Sequence, residues 1–192
     1  MDLSRFQQQL KGASSEARAL PPVDKWDPPF CGDINLEIAL DGRWFYEGSP
    51  IGRASLVRLF STVLKREGDN YFLVTPVEKV GIRVEDTPFI IVEWENNGDT
   101  LVFTTQSGDT IPLTDLSQIE LRVPPSALRD DNATAIPYLC VRRNLWARLH
   151  QNVYYQLLTQ AKEVRKKENN TTITQFSLDS AGKQFVIGEV TS

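Results

Sequence analysis

Arg53-Ala-Ser-Leu-Val-Arg58-Leu59-Phe-Ser-Thr-Val63 returns later in the chain as Arg143-Asn-Leu-Trp-Ala-Arg148-Leu149-His-Gln-Asn-Val153. Arg53/Arg143, Arg58/Arg148, Leu59/Leu149 and Val63/Val153 coincide, and both segments read as helices that follow short strand-like runs. An internal repeat constrains architecture before any local reading does. The echo points to an α+β chain of duplicated antiparallel-strand modules, each with one main helix. The expected division is a peripheral segment 1–25, an N-terminal module 26–86 and a C-terminal module 87–192.

Around the first copy, Ser49 reads as an N-cap with Pro50 at the first helical position. Leu56, Leu59, Phe60, Val63 and Leu64 form its apolar stripe, and Gly68 reads as its stop. Upstream, Ile34, Leu36, Ile38 and Leu40 alternate with less apolar residues as in a half-buried strand, and Asp41-Gly42 supplies turn chemistry before Arg43–Tyr46. The second copy reads as one long helix from Arg143 to Lys167, buried through Leu149, Val153, Leu157, Ala161 and Val164. Between the copies lie strand patterns at 71–74, 80–84, 89–92, 101–103, 111–113 and 119–123. A polar connection, 124–137, leads to a further strand at 138–141. A last hairpin turns around Gly182. Leu3, Phe6 and Leu10 share a helical face suited to docking, and the turn-rich stretch Trp26 to Asp33 is expected to fold its aromatics over the core.

Apolar and charged fractions of 41% and 24% are those of an ordinary soluble domain. No run approaches the roughly 20 apolar residues that span a bilayer. The opening Met1-Asp-Leu-Ser-Arg-Phe lacks a basic region followed by an apolar stretch, and Cys31 and Cys140 are too few for a disulfide framework. A cytoplasmic location is the expectation. The net charge of −4 argues against non-specific coating of nucleic acid, which depends on neutralising phosphates. Seven basic residues against one acidic residue between Arg142 and Lys167 nevertheless make a local cationic stretch. It reads as a solvated helix or as an anion-binding face.

His150 is the only histidine, and no Cys-x-x-Cys pair, phosphate loop, dinucleotide fingerprint or nucleophile elbow occurs. Neither a metal, a cofactor nor a catalytic residue is expected. Cys140 reads as a core residue, Glu85-Asp86 as a strand-end turn and Asp130-Asp131 as solvated. The arginines Arg53 and Arg143 stand out, because a cation at a helix N-terminus opposes the macrodipole. A bound anion would explain both, and so would internal salt bridges. The candidate ligand-binding residues are Arg53, Glu78, Lys79, Arg142 and Arg143, with Asp33 and Trp44 in support.

Several strings carry a resemblance: Gly32-Asp33-Ile34, Asp41-Gly42-Arg-Trp44, Gly48-Ser-Pro50-Ile51-Gly-Arg53, Leu73-Val-Thr-Pro76-Val-Glu78-Lys79 and Val84-Glu85-Asp86-Thr-Pro88-Phe89. In this order they resemble a proteobacterial family, domain-of-unknown-function family 1285. The resemblance implies a duplicated α+β core, a C-terminal half like a pleckstrin-homology fold, a ligand site between the halves, and a part in signal transduction or nutrient response. It brings no catalytic residues.

The leading expectation is a non-enzymatic ligand-binding or signalling module for a small, anionic metabolite or a protein partner. The alternative is an interaction scaffold using the basic face of the second helix. An enzyme dependent on Cys31 or on carboxylates comes third. No nucleic acid and no membrane span are expected, and the oligomeric state is open.

Overall fold

The computed structural model describes residues 3–11 and 20–192, in two compact units, Met1–Glu85 and Asp86–Ser192. Residues 12–19, the middle of the expected peripheral segment, lie outside the described part. In the first unit α1 (Leu3–Lys11) buries Phe6 and Leu10, the pair its spacing selects. β1 (Phe30–Ile38), β2 (Trp44–Tyr46) and β3 (Ser49–Pro50) form one antiparallel meander. After α2 (Ala54–Ser61), β4 (Leu64–Glu67), β5 (Asn70–Val74) and β6 (Lys79–Val84) form a second. β6 lies parallel to β1, so the strand order is β3-β2-β1-β6-β5-β4. Leu36, Ile38, Phe60, Val63, Leu64, Leu73 and Val80 are fully buried beneath this sheet's α2 side. Trp44 stacks on Phe60 with ring centroids 6.4 Å apart, and Phe6 meets the same ring edge-on at 6.0 Å.

The second unit repeats the plan. β7 (Phe89–Asn97), β8 (Thr100–Thr105) and β9 (Thr110–Pro112) make the first meander; β10 (Ile119–Arg122), β11 (Ile136–Arg142) and β12 (Leu145–Leu149) make the second. β12 is parallel to β7, and the order β9-β8-β7-β12-β11-β10 matches the first sheet strand for strand. Phe89, Ile90 and Ile91 are buried on both faces, as a continuous apolar run in a central strand should be. α3 (Gln151–Gln160) follows, then a three-stranded antiparallel sheet of β13 (Lys162–Glu168), β14 (Thr171–Ser180) and β15 (Lys183–Thr191). The chain is α+β and duplicated. No helix among the described residues is long and apolar enough to cross a membrane.

Several local expectations are corrected. Ser49 and Pro50 do not open a helix: Glu47 and Gly48 both have positive φ (49° and 78°), the requirement of a tight hairpin turn, and Ser49-Pro50 pairs back on β2 at the sheet edge. Helix α2 starts after Arg53 and ends at Ser61, where the Ser61 and Thr62 hydroxyls donate to backbone carbonyls at 2.6 Å. Gly68, with φ 59°, serves the β4–β5 hairpin instead of a helix end.

The long second helix is also corrected. Arg143 sits in the β11–β12 hairpin turn with φ 51°, and Leu145–Leu149 is a strand with Leu145, Ala147 and Leu149 buried. His150 caps α3 by accepting the Asn152 N–H at 3.1 Å, and extended backbone at Ala161 ends it. The helix proper, Gln151–Gln160, holds neither lysine nor arginine. A scaffold working through a basic second helix is therefore set aside; Lys162, Arg165, Lys166 and Lys167 lie on β13. The Arg53/Arg143 echo joins a helix cap to a hairpin turn, while the true duplication is in strand order.

Unit 2 is closed by a buried ion pair beside the parallel β7–β12 seam. Arg148 Nη1 donates to Asp86 Oδ2 at 2.6 Å, Tyr138 Oη donates to the same oxygen at 3.0 Å, and Arg148 is 5% exposed. Removing one partner of such a pair strands a charge away from water. Asp86→Ala should therefore lower the unfolding free energy by about 3–5 kcal/mol, and adding Arg148→Met should restore part of the loss. Urea unfolding of the three proteins measures both effects.

Candidate functional site

Cross-strand pairing puts Lys65 of β4, Phe72 of β5, Gly81 of β6 and Asp33 of β1 in one row, hence on one sheet face. Lys79 and Phe30 occupy the next row of that face. Phe30 is 55% exposed and meets Phe72 edge-on at 5.9 Å, so this aromatic stands on the surface and not over the core. Lys79 Nζ lies 4.9 Å from the centre of the Phe72 ring and 3.1 Å from Glu67 Oε2.

Between these side chains runs a groove of about 430 Å³ lined by Phe30, Asp33, Asn70, Tyr71, Phe72, Lys79, Gly81 and Ile82. Gly81 forms its floor. A Cβ there would collide with Asp33 Oδ1 and lie 3.1 Å from Asp33 Cγ, so the missing side chain is what lets the carboxylate lean across the strand. Lys79's hydrogen bond, against a smaller opposing effect of burial, holds the Glu67 carboxyl below its ordinary range; the charges of Lys79 and Lys65 add to this. An adjoining hollow of about 390 Å³ shares Asn70, Tyr71 and Ile82 and is edged by Glu37, Arg83 and Glu85. There the Glu37 contact, with burial, raises the Glu85 pKa although the Leu40 N–H donates to Glu85 at 3.0 Å. One end of the face therefore sets the carboxylates Glu37 and Glu85 around Arg83, and the other sets Lys65 and Lys79 against the single carboxylate Glu67.

Of the expected binding residues, Asp33 and Lys79 meet in this groove. Glu78 does not join its neighbour: it is 8% exposed, with Oε1 3.9 Å from Arg5 of α1, and its Oε2 accepts no hydrogen bond among the described residues. Trp44 is a core residue against Phe60. Arg53 is exposed at the start of α2, where its carbonyl accepts the Leu56 and Val57 N–H groups. Arg142 is held inside unit 2, with Nη1 2.8 Å from Asp109 Oδ1 and the guanidinium 5.0 Å over Phe89. Arg143 is exposed in its turn. The sequence pattern does not place Phe30, Phe72 and Gly81 among the candidate binding residues. The one signal available was Gly81 itself, a glycine inside the strand pattern Lys79-Val-Gly-Ile-Arg-Val84, which marks a bulge or a close approach.

A duplicated α+β protein, with a glycine-floored groove on its first sheet, is the class this geometry defines. The family model described as "Domain of unknown function (DUF1285), N-terminal domain" matches residues 21–87, and "Protein of unknown function (DUF1285), C-terminal domain" matches residues 88–187. The chain belongs to the DUF1285 family. It is similar to a solved DUF1285 family protein from Silicibacter pomeroyi DSS-3, with 39% identity, a TM-score of 0.73 and 95% of each chain covered. A second solved member, from Shewanella baltica OS155, is 33% identical with a TM-score of 0.52 over 65% of this chain and 91% of the other. No curated protein matches the chain.

The Arg142–Asp109 pair makes unit 2 sensitive to acid. Burial pushes the Asp109 carboxyl up, but the Arg142 charge, together with hydrogen bonds from Ser107, Arg142 and Thr105, outweighs it and holds the pKa below the ordinary value. A carboxyl depressed in the folded state adds stability above its unfolded pKa and loses it as pH falls through the folded one. Urea midpoints should thus fall with acidification below about pH 5, and fall less steeply in Asp109→Asn.

Proposed function

We propose that the protein is a small-molecule-binding module whose site is the groove on the first sheet. The observation that carries this reading is the bare Gly81 floor between a carboxylate and an amine. The Asp33 carboxylate lines the groove and can take a cationic or hydrogen-donating group. Lys79 and Lys65 offer the anionic end of a ligand an alternative to Glu67, and Phe30 and Phe72 present apolar ring surface to its body. Pockets for small ligands combine an apolar lining with a few convergent polar groups in this way. The chemistry that fits is a small amphoteric molecule: an amine at one end, a carboxylate or phosphate at the other, and a flat or aliphatic middle. A signalling role for the family would make occupancy of the groove the sensed event.

Amino acids and phosphorylated amines are the probes. A binder should raise the melting temperature by mass action. Calorimetry on that binder should show Asp33→Ala and Lys79→Ala each weakening affinity about tenfold, equal to about 1.4 kcal/mol. Gly81→Ala, which forces the Asp33 carboxylate aside, should weaken it comparably while the fold persists. Binding indifferent to all three substitutions, or no shift across both probe classes, would remove the groove from consideration.

A further inference from the structure

We propose that β13 is a self-complementary edge through which two copies of this chain pair into one continuous sheet. β13 is the outer strand of the third sheet, pairs only with β14 among the described strands, and is exposed at all seven of its positions. Such an edge offers unpaired backbone N–H and C=O groups to another strand.

Its sequence, Lys162-Glu-Val-Arg-Lys-Lys-Glu168, selects the partner. Laid antiparallel against itself with Arg165 on the twofold axis, it sets Lys162 opposite Glu168 of the second copy and Glu163 opposite Lys167. Symmetry repeats both contacts, and opposite charges in directly facing positions stabilise a sheet. Val164 faces the aliphatic stem of Lys166. Arg165 faces its own copy, and each already has Glu163 of its own strand at 3.0 Å.

A slide by two residues is the smallest that keeps every side chain on its face. In one direction it sets Lys162 against Lys166, and in the other Arg165 against Lys167. The first slide also sets Glu163 against Arg165, so it holds two opposite-charge contacts against the four of the unshifted register, and the charges favour that register. A single seven-residue strand pair buries little area, so the dimer is of the weak, reversible class.

Analytical ultracentrifugation of the full chain, from about 10 µM to about 1 mM, tests this across a weak-affinity range. Wild type should dimerise with rising concentration, and less so in high salt, where screening weakens exposed pairs. Glu163→Lys sets lysine against lysine and Lys167→Glu sets glutamate against glutamate, so each variant alone should lose dimerisation at least tenfold. An equimolar mixture of the two variants restores both facing pairs and should dimerise again. Since these side chains are exposed, circular dichroism should report unchanged folds. A wild type that stays monomeric throughout, single variants that dimerise as wild type does, or a mixture that fails to recover would each overturn the proposal.

Discussion

Each six-stranded sheet depends on the parallel pairing of its first and last strands in chain order, β1 with β6 and β7 with β12. Without that seam a sheet would be two separate three-stranded meanders, each with an extra free edge. Parallel neighbours cannot be joined by a tight turn, so the chain must travel away and return between them. In the first unit the journey includes α2, whose Phe60 fills the space beside Trp44. In the second, a short turn over Leu116–Gln118 suffices, fixed by reciprocal capping between Asp115 and Gln118. Both seams carry an arginine from the sheet's last strand to a carboxylate, Glu37 on β1 in one and Asp86 just before β7 in the other. Arg83 reaches Glu37 at 3.3 Å in the open, with side chains 57% and 30% exposed, whereas Arg148 reaches Asp86 where water is scarce. The exposed version contributes at most about 1 kcal/mol. The buried one is costly to break, and so it ties the seam to the hydroxyl of Tyr138.

Unit 2 adds elements the first lacks, and small residues show how they are attached. Ser180, fully buried, donates to the Leu113 carbonyl at 2.6 Å and accepts the Leu101 N–H at 2.8 Å, joining the third sheet to β8. Gly188 on β15 lies against α3: a Cβ there would come within 2.7 Å of Tyr154 Oη. Close packing of a helix on a strand often requires such a gap. Burial raises the Tyr154 pKa, with the charge of Asp130 adding to it, so the ring remains a neutral spacer between helix and sheet.

Much of this was legible in the sequence because it rests on period and turn chemistry. The apolar run 89–91, the alternation at Leu36 and Ile38, and the face shared by Phe6 and Leu10 all report burial directly. The helix from Arg143 to Lys167 was misleading for a physical reason. Leu149, Val153 and Leu157 keep a four-residue spacing across the junction of a strand and a helix, and periodicity does not register that His150 restarts the chain as a cap. Ser49-Pro50 misled similarly, since proline suits both a helix start and an edge strand. The groove was the least legible part. Its walls come from β1, β5 and β6, and cross-strand register is a tertiary property that no local window contains.

Register also separates two neighbours that the sequence presents as a unit. Adjacent strand residues point to opposite faces. Lys79, the first residue of β6, turns to the groove, and Glu78 turns beneath α1. There the Thr75 hydroxyl accepts the Glu78 N–H at 3.0 Å and donates to Gln9 of α1 at 2.9 Å, while Phe6 holds the helix to Phe60. A carboxylate kept from water needs compensating partners; among the described residues the cation paired with it is Arg5, at 3.9 Å, and it is supplied by that same helix. The docking of α1 and the burial of Glu78 are thus one constraint, set by the same turn that delivers Lys79 to the opposite face. The β5–β6 turn fixes the groove's cation and the helix's anchor together.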